Sequence, residues 1–297
     1  MSQRWRVALL VIALVSMGTP AAAQKTTSTT EPAIRITKVA DAAYEPRPTE
    51  PFFVLIVGND NRAGVGGARG DALHLVGINP AEGRATILNI PRDTYVPVPG
   101  HGNEKITHAY LFGGPRLQAD AVGALVGVHV SFVVATNFAG FTGMVDELGG
   151  MDVDIPMAMD DQNSGAVFAP GPQHINGSQA LAFSRNRYIP GGDIRRTEHQ
   201  GLLIIYGLAK ARAEASNPID TLRFLGVLVR YTELDGIGIT DLYRMARLAL
   251  TFDPANVRNA TMPSRVGSAG RASVVFPAPE AGALFGDFRD DAILQAH

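Results

Sequence analysis

The sequence predicts a single α/β domain in which helices pack on both faces of a central mixed β-sheet. Two observations support this fold class. Short apolar runs rich in β-forming residues alternate along the chain with segments whose apolar residues recur at helical spacing. Hydrophobic residues make up 46% of the 297 residues and charged residues 18%, which is enough apolar material for a large buried core. No internal repeat is visible, so we expect one domain rather than an array.

The first 23 residues have the pattern of a secretory signal. Arg4 and Arg6 precede an apolar run over 7–15, and a small-residue stretch that ends at Ala23 follows it. The apolar run is shorter than the roughly 20 residues that a membrane-spanning helix needs, which favours cleavage over an uncleaved anchor. We therefore expect an exported protein of the cell envelope.

The next segment, 24–50, is rich in Thr, Pro and Ala and lacks a sustained period, which predicts a flexible linker. The domain is then expected to occupy 51–297. Its first strand is predicted at 52–57, where a continuous apolar run stops at Gly58, as in strands that are buried on both faces. Further strands are predicted from similar runs at 72–78, 85–90, 130–136, 151–155, 257–262 and 273–276.

Helices are predicted where apolar residues follow a period of 3.6. The first is expected to begin at Pro115, because proline is favoured at the first helical position, and to run to 126. A second helix, over 138–148, is expected to end at the glycine pair that follows it. The longest predicted helix covers 195–214. Shorter helices are predicted at 178–184, 219–231 and 241–252.

Composition excludes several functional classes. The chain has no cysteine, which removes disulfide frameworks, Cys-ligated zinc and thiol nucleophiles. The net charge of −2 argues against a broad nucleic-acid surface, so we expect no nucleic-acid partner. Four lysines are present, at positions 25, 38, 105 and 210, so the other 22 of the 26 basic residues are arginine. This excess is open to two interpretations, a compositional bias or a local phosphate-binding site.

Carboxylates and arginines cluster at the ends of the predicted strands and before the longest helix. The members are Asp60, Arg62, Arg69, Asp71, Arg92, Asp93, Arg185, Arg187, Asp193, Arg195 and Arg196, with Gln200 one turn further on. Charged residues that flank buried strands converge at one edge of an α/β sheet, where such folds bind ligands. Arginine forks pair with phosphate oxygens, and Mg²⁺ takes one or two protein carboxylates, for which Asp60 and Asp71 are suited.

Each Asp–Arg pair taken alone is better explained as a helix cap or a solvated ion pair. Five such groups at strand ends in one domain shift the interpretation to a phosphate ligand held with Mg²⁺.

The same residues carry a resemblance to the LytR-CpsA-Psr family, which covers the chain from about 52 to 214. The motifs, in order, are Gly58-Asn59-Asp60-x-Arg62, Arg69-Gly70-Asp71, Ile90-Pro91-Arg92-Asp93-Thr94, Lys105-Ile106-Thr107-x-Ala109-Tyr110, Asp146-x-Leu148-Gly149-Gly150, Asn176-Gly177-x-Gln179-Ala180-Leu181, Arg185-Asn186-Arg187 and Gly192-Asp193-x-x-Arg196-x-x-x-Gln200. His199 stands where arginine is common, without removing a proposed metal ligand or central arginine.

The resemblance implies an extracytoplasmic phosphotransferase with one catalytic domain. Such enzymes move a glycopolymer from an undecaprenyl or decaprenyl pyrophosphate carrier to a hydroxyl of peptidoglycan or a related wall glycan, at the outer face of the cytoplasmic membrane. The lipid also needs an apolar groove, for which the helix faces over 117–126 and 202–209 are candidates, although core packing is the expected use of most of those side chains.

The resemblance also implies roles for individual residues. Carried over by position, Asp60 and Asp71 would hold Mg²⁺ or Mn²⁺ on the pyrophosphate. Arg69 and Arg92 would act on the reacting phosphate together with Asp193, which is either the base for the acceptor hydroxyl or the residue that orients Arg196. The full set expected to bind the pyrophosphate is Arg69, Arg92, Arg185, Arg187, Arg196 and Gln200.

Two other functions are compatible with these motifs. A non-catalytic protein that holds polyprenyl phosphates would need the same arginines and carboxylates. The third hypothesis is an envelope-related regulator. Direct DNA binding by such a regulator is opposed by the export signal, the net charge and the lack of a helix-turn-helix pattern.

Overall fold

A seven-stranded mixed sheet organises the chain in the computed structural model, which describes residues 34–39, 50–59, 68–215 and 217–295. These residues belong to one compact unit that spans Pro32–His297. The expected signal sequence over 1–23 lies outside the described residues.

The described elements are as follows. The strands are β1 Ile34–Lys38, β2 Phe52–Asn59, β3 Gly70–Asn79, β4 Arg84–Ile90, β5 Tyr95–Val98, β6 Gly102–Lys105, β7 Val130–Asn137, β8 Met151–Ile155, β9 Met159–Asp161, β10 Ala166–Phe168, β11 Gly171–Ile175, β12 Thr232–Asp235, β13 Val257–Thr261, β14 Ser264–Ala269 and β15 Ala272–Pro277. The helices are α1 His108–Val126, α2 Phe138–Glu147, α3 Gly177–Arg185, α4 Gly192–Glu214, α5 Pro218–Tyr231, α6 Ile239–Ala249 and α7 Ala281–Asp291, with a 3-10 turn at Pro254–Asn256.

The strand order of the sheet is β12-β1-β7-β2-β3-β4-β13. The pairs β1 with β12, β2 with β7 and β4 with β13 are parallel, whereas β1 with β7, β2 with β3 and β3 with β4 are antiparallel. The register places Asn59 beside both Gly70 and Asn137, and Leu73 beside Ile90. The carboxyl ends of β2, β4 and β7 therefore meet the start of β3 at one edge of the sheet.

Helices cover both faces of the sheet, which confirms the predicted fold class. On one face, inward residues such as Leu55 and Leu75 form a core with α1 and α7. Helix α7 comes so close that a Cβ on Gly77 would lie 2.6 Å from the Phe288 ring, which explains a glycine inside β3. Because successive strand residues alternate, the neighbours of these core residues, such as His74, face the other side. That side packs against α4.

The prediction of a linker over 24–50 is wrong for five of its residues. Ile34–Lys38 form β1, which lies inside the sheet between β12 and β7, with Ile34 and Ile36 buried. The strand is short and is surrounded by Thr- and Pro-rich sequence, so its alternating pattern is hidden when the sequence is averaged over a longer window.

Helix α1 begins earlier than predicted, although the predicted start marks a real break. Backbone dihedrals at Gly113 and Gly114 are non-helical, with φ +65° at Gly114, and Pro115 opens the second helical piece. Residues 108–112 form an additional turn before the break. The predicted helix over 195–214 also starts earlier, at Gly192, so that Asp193 and Arg196 belong to its first turns.

Candidate functional site

A cavity of about 1010 Å³ opens between the charged edge of the sheet and helices α2, α3, α4 and α5. One part of its lining, the polar wall, comes from strand ends and helix ends. The polar wall contains Asp71, His74, Arg92, Arg185, Arg187, Arg196 and Gln200. The apolar wall contains Ile34, Ile56, Val134, Phe138, Phe141, Met144, Leu148, Met151, Leu181, Leu203, Ile204 and Phe224. The cavity is thus amphiphilic, with permanent positive charge beside a long apolar surface.

The apolar wall includes one of the two candidate helix faces, and the other packs in the core. Helix α4 contributes Leu203 and Ile204, as expected for the face over 202–209. The face over 117–126 does not take part, because Ala119, Val122 and Val126 are buried in the core on the opposite side of the sheet.

The ends of β3 and β4 bring Asp71 and Arg92 together. Arg92 Nη1 donates to Asp71 Oδ1 at 2.5 Å, and both side chains are about one-fifth exposed, at 22% and 21%. Burial by itself disfavours the charged form of Arg92, but Asp71, aided by Asp193 and Asp93, outweighs burial and raises the pKa of the guanidinium. Arg92 is therefore a fixed cation at neutral pH.

Asp193 joins three arginines at the start of α4. Arg196 Nη2 lies 3.0 Å from Asp193 Oδ1 and 3.1 Å from Oδ2, and Arg187 Nε lies 3.2 Å from Oδ1. Arg92 Nε is more distant, at 4.0 Å from Oδ2. A carboxylate in the first turn is also favoured by the helix dipole. Asp193 thus holds the arginine forks in one cluster.

Arg196 is the most buried arginine of this cluster, with its side chain 6% exposed. Burial lowers its pKa to about 10, and Asp193 opposes that effect, so the guanidinium stays charged at neutral pH. The Nε–H groups of Arg92 and Arg196 are both buried, and neither donates to an acceptor within the described part of the chain. Buried donors without acceptors are costly, so both N–H groups are available to an acceptor that enters the cavity.

Arg185 is the last residue of α3. Gln200 lies on α4, about one turn after Arg196. The Arg185 guanidinium stacks over the Phe138 ring at 5.5 Å from its centroid. Gln200 Nε2 donates to the Ser184 carbonyl at 2.9 Å, while its Oε1 is buried and without a partner in the described residues. In this amide orientation Gln200 offers an acceptor, which suits a hydroxyl donor better than a phosphate oxygen.

The structure places the remaining predicted residues apart from this cluster or outside its description. Arg69 is exposed and does not line the cavity, although it precedes β3 by one residue. Asp60 and Arg62 lie outside the described residues. Asp93 pairs with Lys105, whose Nζ lies 3.0 Å from Asp93 Oδ1.

Sequence reasoning missed His74, which lies on the cavity side of β3. His74 is 3% exposed, and its Nδ1 lies 2.7 Å from Asn89 Oδ1, while Asn89 Nδ2 donates to Asn259 Oδ1 at 2.7 Å. Burial lowers the pKa of His74 to about 4, with Arg196 acting in the same direction, so the ring is neutral at pH 7. A histidine in the middle of an apolar strand was the available signal.

Two kinds of feature are absent from the ranges that the structure describes. No group of three or more His, Cys, Asp or Glu side chains there is arranged to hold a metal ion. In the same ranges, no helix is both long enough and apolar enough to cross a bilayer.

Comparison with known proteins gives the same family as the motifs. The polyisoprenyl-teichoic acid–peptidoglycan teichoic acid transferase TagT of Bacillus subtilis is 31% identical over 277 residues, which cover 84% of this chain and 85% of TagT. TagU of Bacillus cereus, with the same description, is 38% identical over 156 residues, 51% of this chain and 50% of TagU. The chain thus spans about half the length of TagU.

A solved structure supports the fold. The LytR-Csp2A-Psr enzyme from Actinomyces oris superposes with a TM-score of 0.65 at 25% identity, covering 80% of this chain and 89% of that one. The sequence model of the LytR_cpsA_psr family matches residues 14–283. By this match and by the order of its motifs, the chain belongs to the LytR_cpsA_psr family.

Proposed function

We propose that this protein transfers a phosphate-linked glycopolymer from a polyprenyl pyrophosphate carrier to a hydroxyl of peptidoglycan or a related wall glycan. The observation that carries the proposal is the single cavity in which clustered arginines adjoin an apolar wall. A lipid pyrophosphate has the same two parts, a compact dianion and a long hydrocarbon chain. The transferase descriptions of TagT and TagU support the same substrate class.

Charge balance agrees with a diphosphate ligand. The guanidinium groups of Arg92, Arg185, Arg187 and Arg196 face two carboxylates, Asp71 and Asp193, which leaves two positive charges in the cluster. A pyrophosphate esterified at both ends carries two negative charges. Because the cluster is partly buried, this neutralisation is screened less than it would be on an open surface.

In the proposed reaction, the acceptor hydroxyl oxygen bonds to the phosphorus that carries the glycopolymer. The bridging P–O bond breaks and polyprenyl phosphate leaves, and the proton of the hydroxyl passes to the leaving phosphate, whose oxygen gains negative charge as the bond breaks. The Nε–H groups of Arg92 and Arg196, which have no acceptor in the described residues, donate to phosphate oxygens, with Arg185 and Arg187 as outer contacts. Most of the acceleration of phosphoryl transfer comes from such positioning and charge neutralisation.

Asp193 acts in this proposal as the orienting residue rather than as the base. Both of its oxygens accept from Arg196, and one also meets Arg187, so its lone pairs are committed to arginines. A base needs a lone pair directed at the acceptor hydroxyl.

The residues present also fit Mg²⁺ or Mn²⁺. Asp71 presents a carboxylate on the cavity wall with one oxygen bound to Arg92, and Mg²⁺ needs only one or two protein carboxylates beside substrate phosphates and water. Asp71, with Asp60, would hold the ion, which would neutralise charge on the pyrophosphate when bound.

We also place the protein outside the cytoplasm, exported by a cleavable signal over its first 23 residues. The family's cell-envelope chemistry supports this location, since both the lipid carrier and the wall glycan are reached from the outer face of the membrane.

The test is release of polyprenyl phosphate from a pyrophosphate-linked donor when an acceptor glycan is present. We expect Arg92→Ala to lower transfer by at least about 100-fold, because it removes a charged donor from the reacting phosphate. Arg84→Ala is the matched control, since Arg84 is exposed at the opposite end of the same strand. Tight lipid binding by the wild type without any release would contradict the enzyme proposal and favour the binding protein.

A further inference from the structure

Two exposed side chains stand where the polar wall of the cavity meets solvent. Tyr188 and Asn163 both line the cavity, yet Tyr188 is 70% exposed. Asn163 Nδ2 lies 3.4 Å from the Tyr188 hydroxyl, so an amide and an aromatic ring form one surface. We call these two side chains the rim.

The rim is held by a buried network rather than by a loose loop. Asp161, 4% exposed, accepts from Ser164 Oγ at 2.7 Å and from the Asn163 backbone at 3.0 Å. It also accepts from the backbone N–H of Arg187. Burial raises the pKa of Asp161, but these hydrogen bonds outweigh it and lower the pKa, so the carboxylate is charged. Asp161 therefore ties the turn between β9 and β10 to the segment that carries Tyr188.

The Tyr188 backbone is anchored from its own side as well. Its N–H donates to Asn186 Oδ1 at 2.9 Å, and the next residue, Ile189, is buried at 8% exposure. Because the backbone is held at this point, a ligand that covers the ring has to order only the side chain of Tyr188 and not the loop.

The rim is adjacent to the phosphate cluster. Tyr188 directly follows Arg187, whose Nε lies 3.2 Å from Asp193 Oδ1. The rim residues line the same cavity as Arg187 and Arg196, and Tyr188 is exposed, so a group on the rim lies on the solvent side of the proposed pyrophosphate site. In the proposed reaction that side is occupied by sugars.

We propose that Tyr188 and Asn163 form a saccharide-binding rim that positions a pyranose ring next to the reacting phosphate. This rests on the proposed function. The C–H face of a pyranose packs on an aromatic ring, and its hydroxyls pair with an amide, which matches a tyrosine beside an asparagine. The sugar comes either from the acceptor glycan or from the first unit of the donor glycopolymer.

Binding measured without turnover separates these sources. The acceptor probe is a peptidoglycan tetrasaccharide. The donor probe is a farnesyl pyrophosphate that carries a disaccharide, compared with farnesyl pyrophosphate alone. For Tyr188→Ala we expect about tenfold weaker binding of whichever sugar probe the rim holds, about 1.4 kcal/mol, with binding of plain farnesyl pyrophosphate unchanged.

Three further variants sharpen the test. Tyr188→Phe keeps the ring and should stay within about threefold of the wild type, whereas Asn163→Ala should weaken the same probe as Tyr188→Ala. Tyr243→Ala on α6 is the control, because Tyr243 is also exposed but does not line the cavity. In a transfer assay the same loss should appear in kcat/KM for that sugar substrate.

If Tyr188→Ala binds both sugar probes as well as Tyr243→Ala does, the rim proposal is overturned. Selective loss of the tetrasaccharide identifies the acceptor as the occupant, and selective loss of the disaccharide donor identifies the glycopolymer; either supports the rim. Because these measurements need no catalysis, a wild type that binds sugars through Tyr188 but transfers nothing would refute the proposed function and leave the rim standing.

Discussion

Asp193 shows how one carboxylate can organise several cations. It meets Arg196 with both oxygens and Arg187 with one, while Arg92 approaches from the neighbouring strand. Residues that share one partner do not act additively, so the loss of Asp193 should disturb all of the arginines at once.

Replacing Asp193 tests its role. We expect Asp193→Asn to raise KM for the lipid donor by about tenfold and to lower kcat, because the arginines lose their common anchor, while the shape of the pH–rate profile is retained. The measurement is kcat and kcat/KM between pH 5 and 9. Disappearance of an acidic limb of the profile in the variant would show instead that Asp193 is the base.

Two buried histidines make the fold sensitive to acid. Burial lowers the pKa of both His74 and His199 to about 4, from 6.5 in the unfolded chain. Between these values the unfolded state binds protons that the folded state does not, so the free energy of unfolding falls as pH drops from 6.5 toward 4. Each histidine contributes a slope of up to about 1.4 kcal/mol per pH unit.

We therefore expect urea unfolding at pH 7, 6 and 5 to show a steep loss of stability in the wild type and a shallower one in His199→Gln. The slope is the readout, since the substitution itself changes the absolute value. Asp152 raises the pKa of His174, which acts in the opposite sense, so the slopes are compared in a background with His174→Gln. Equal slopes with and without His199 would refute this reading.

At the scale of elements, helix α4 joins the arginine cluster to the apolar wall. Gly201 lets it approach the sheet, because a Cβ there would overlap the side-chain oxygens of Asn89 and Asn259. Those two asparagines connect His74 to the helix, since Asn259 Nδ2 donates to the Glu198 carbonyl at 3.0 Å. The glycine thus sets the distance between α4 and the sheet.

Gly201→Ala should lower the free energy of unfolding by about 2–4 kcal/mol, as expected when a core position is overpacked and a buried hydrogen bond is broken. Gly207→Ala in the same helix is the matched control. A Cβ there meets nothing within 4 Å, so helix propensity alone predicts a gain of up to about 1 kcal/mol. Denaturant titration measures both, and equal effects would show that the close approach at Gly201 is unimportant.

The sequence predicted elements and site residues with different success, for physical reasons. Long periodic segments such as α4 were identified because the spacing of their apolar residues is visible in the local sequence. The short strand β1 was missed, because its stability comes from partners 94 or more residues away. The arginines were identified by residue type, but His74 was not, since its burial against Asn89 depends on tertiary contacts. Tyr188 was missed because exposure cannot be read from sequence.

At the scale of the whole molecule, β1 joins the beginning of the chain to its later part. Ile34 is at once a sheet residue paired with Thr232 and Thr136 and a residue of the cavity's apolar wall. Removal of β1 would therefore leave β7 and β12 with unpaired edges and open the cavity.

A truncation pair tests this. We expect a variant that begins at Pro32 to keep the stability and lipid binding of the longer chain, whereas one that begins at Glu50 should lose about 3–6 kcal/mol from the two buried isoleucines alone. Thermal unfolding and binding of farnesyl pyrophosphate are the measurements. Equal stability of the two variants would show that β1 is dispensable.

The order of strands in the sheet also constrains how the protein folds. Strand β1 can pair only after β7 and then β12 have been made. Strand β4 can pair with β13 only after the chain between them is complete, since the paired residues lie more than 170 positions apart. Parallel pairings between distant segments form slowly, because the long intervening chain must first be closed. A chain threaded through a membrane from its beginning would therefore present β1 early and unpaired, and the cavity would close only after Phe224, the last of its described lining residues along the chain, had emerged.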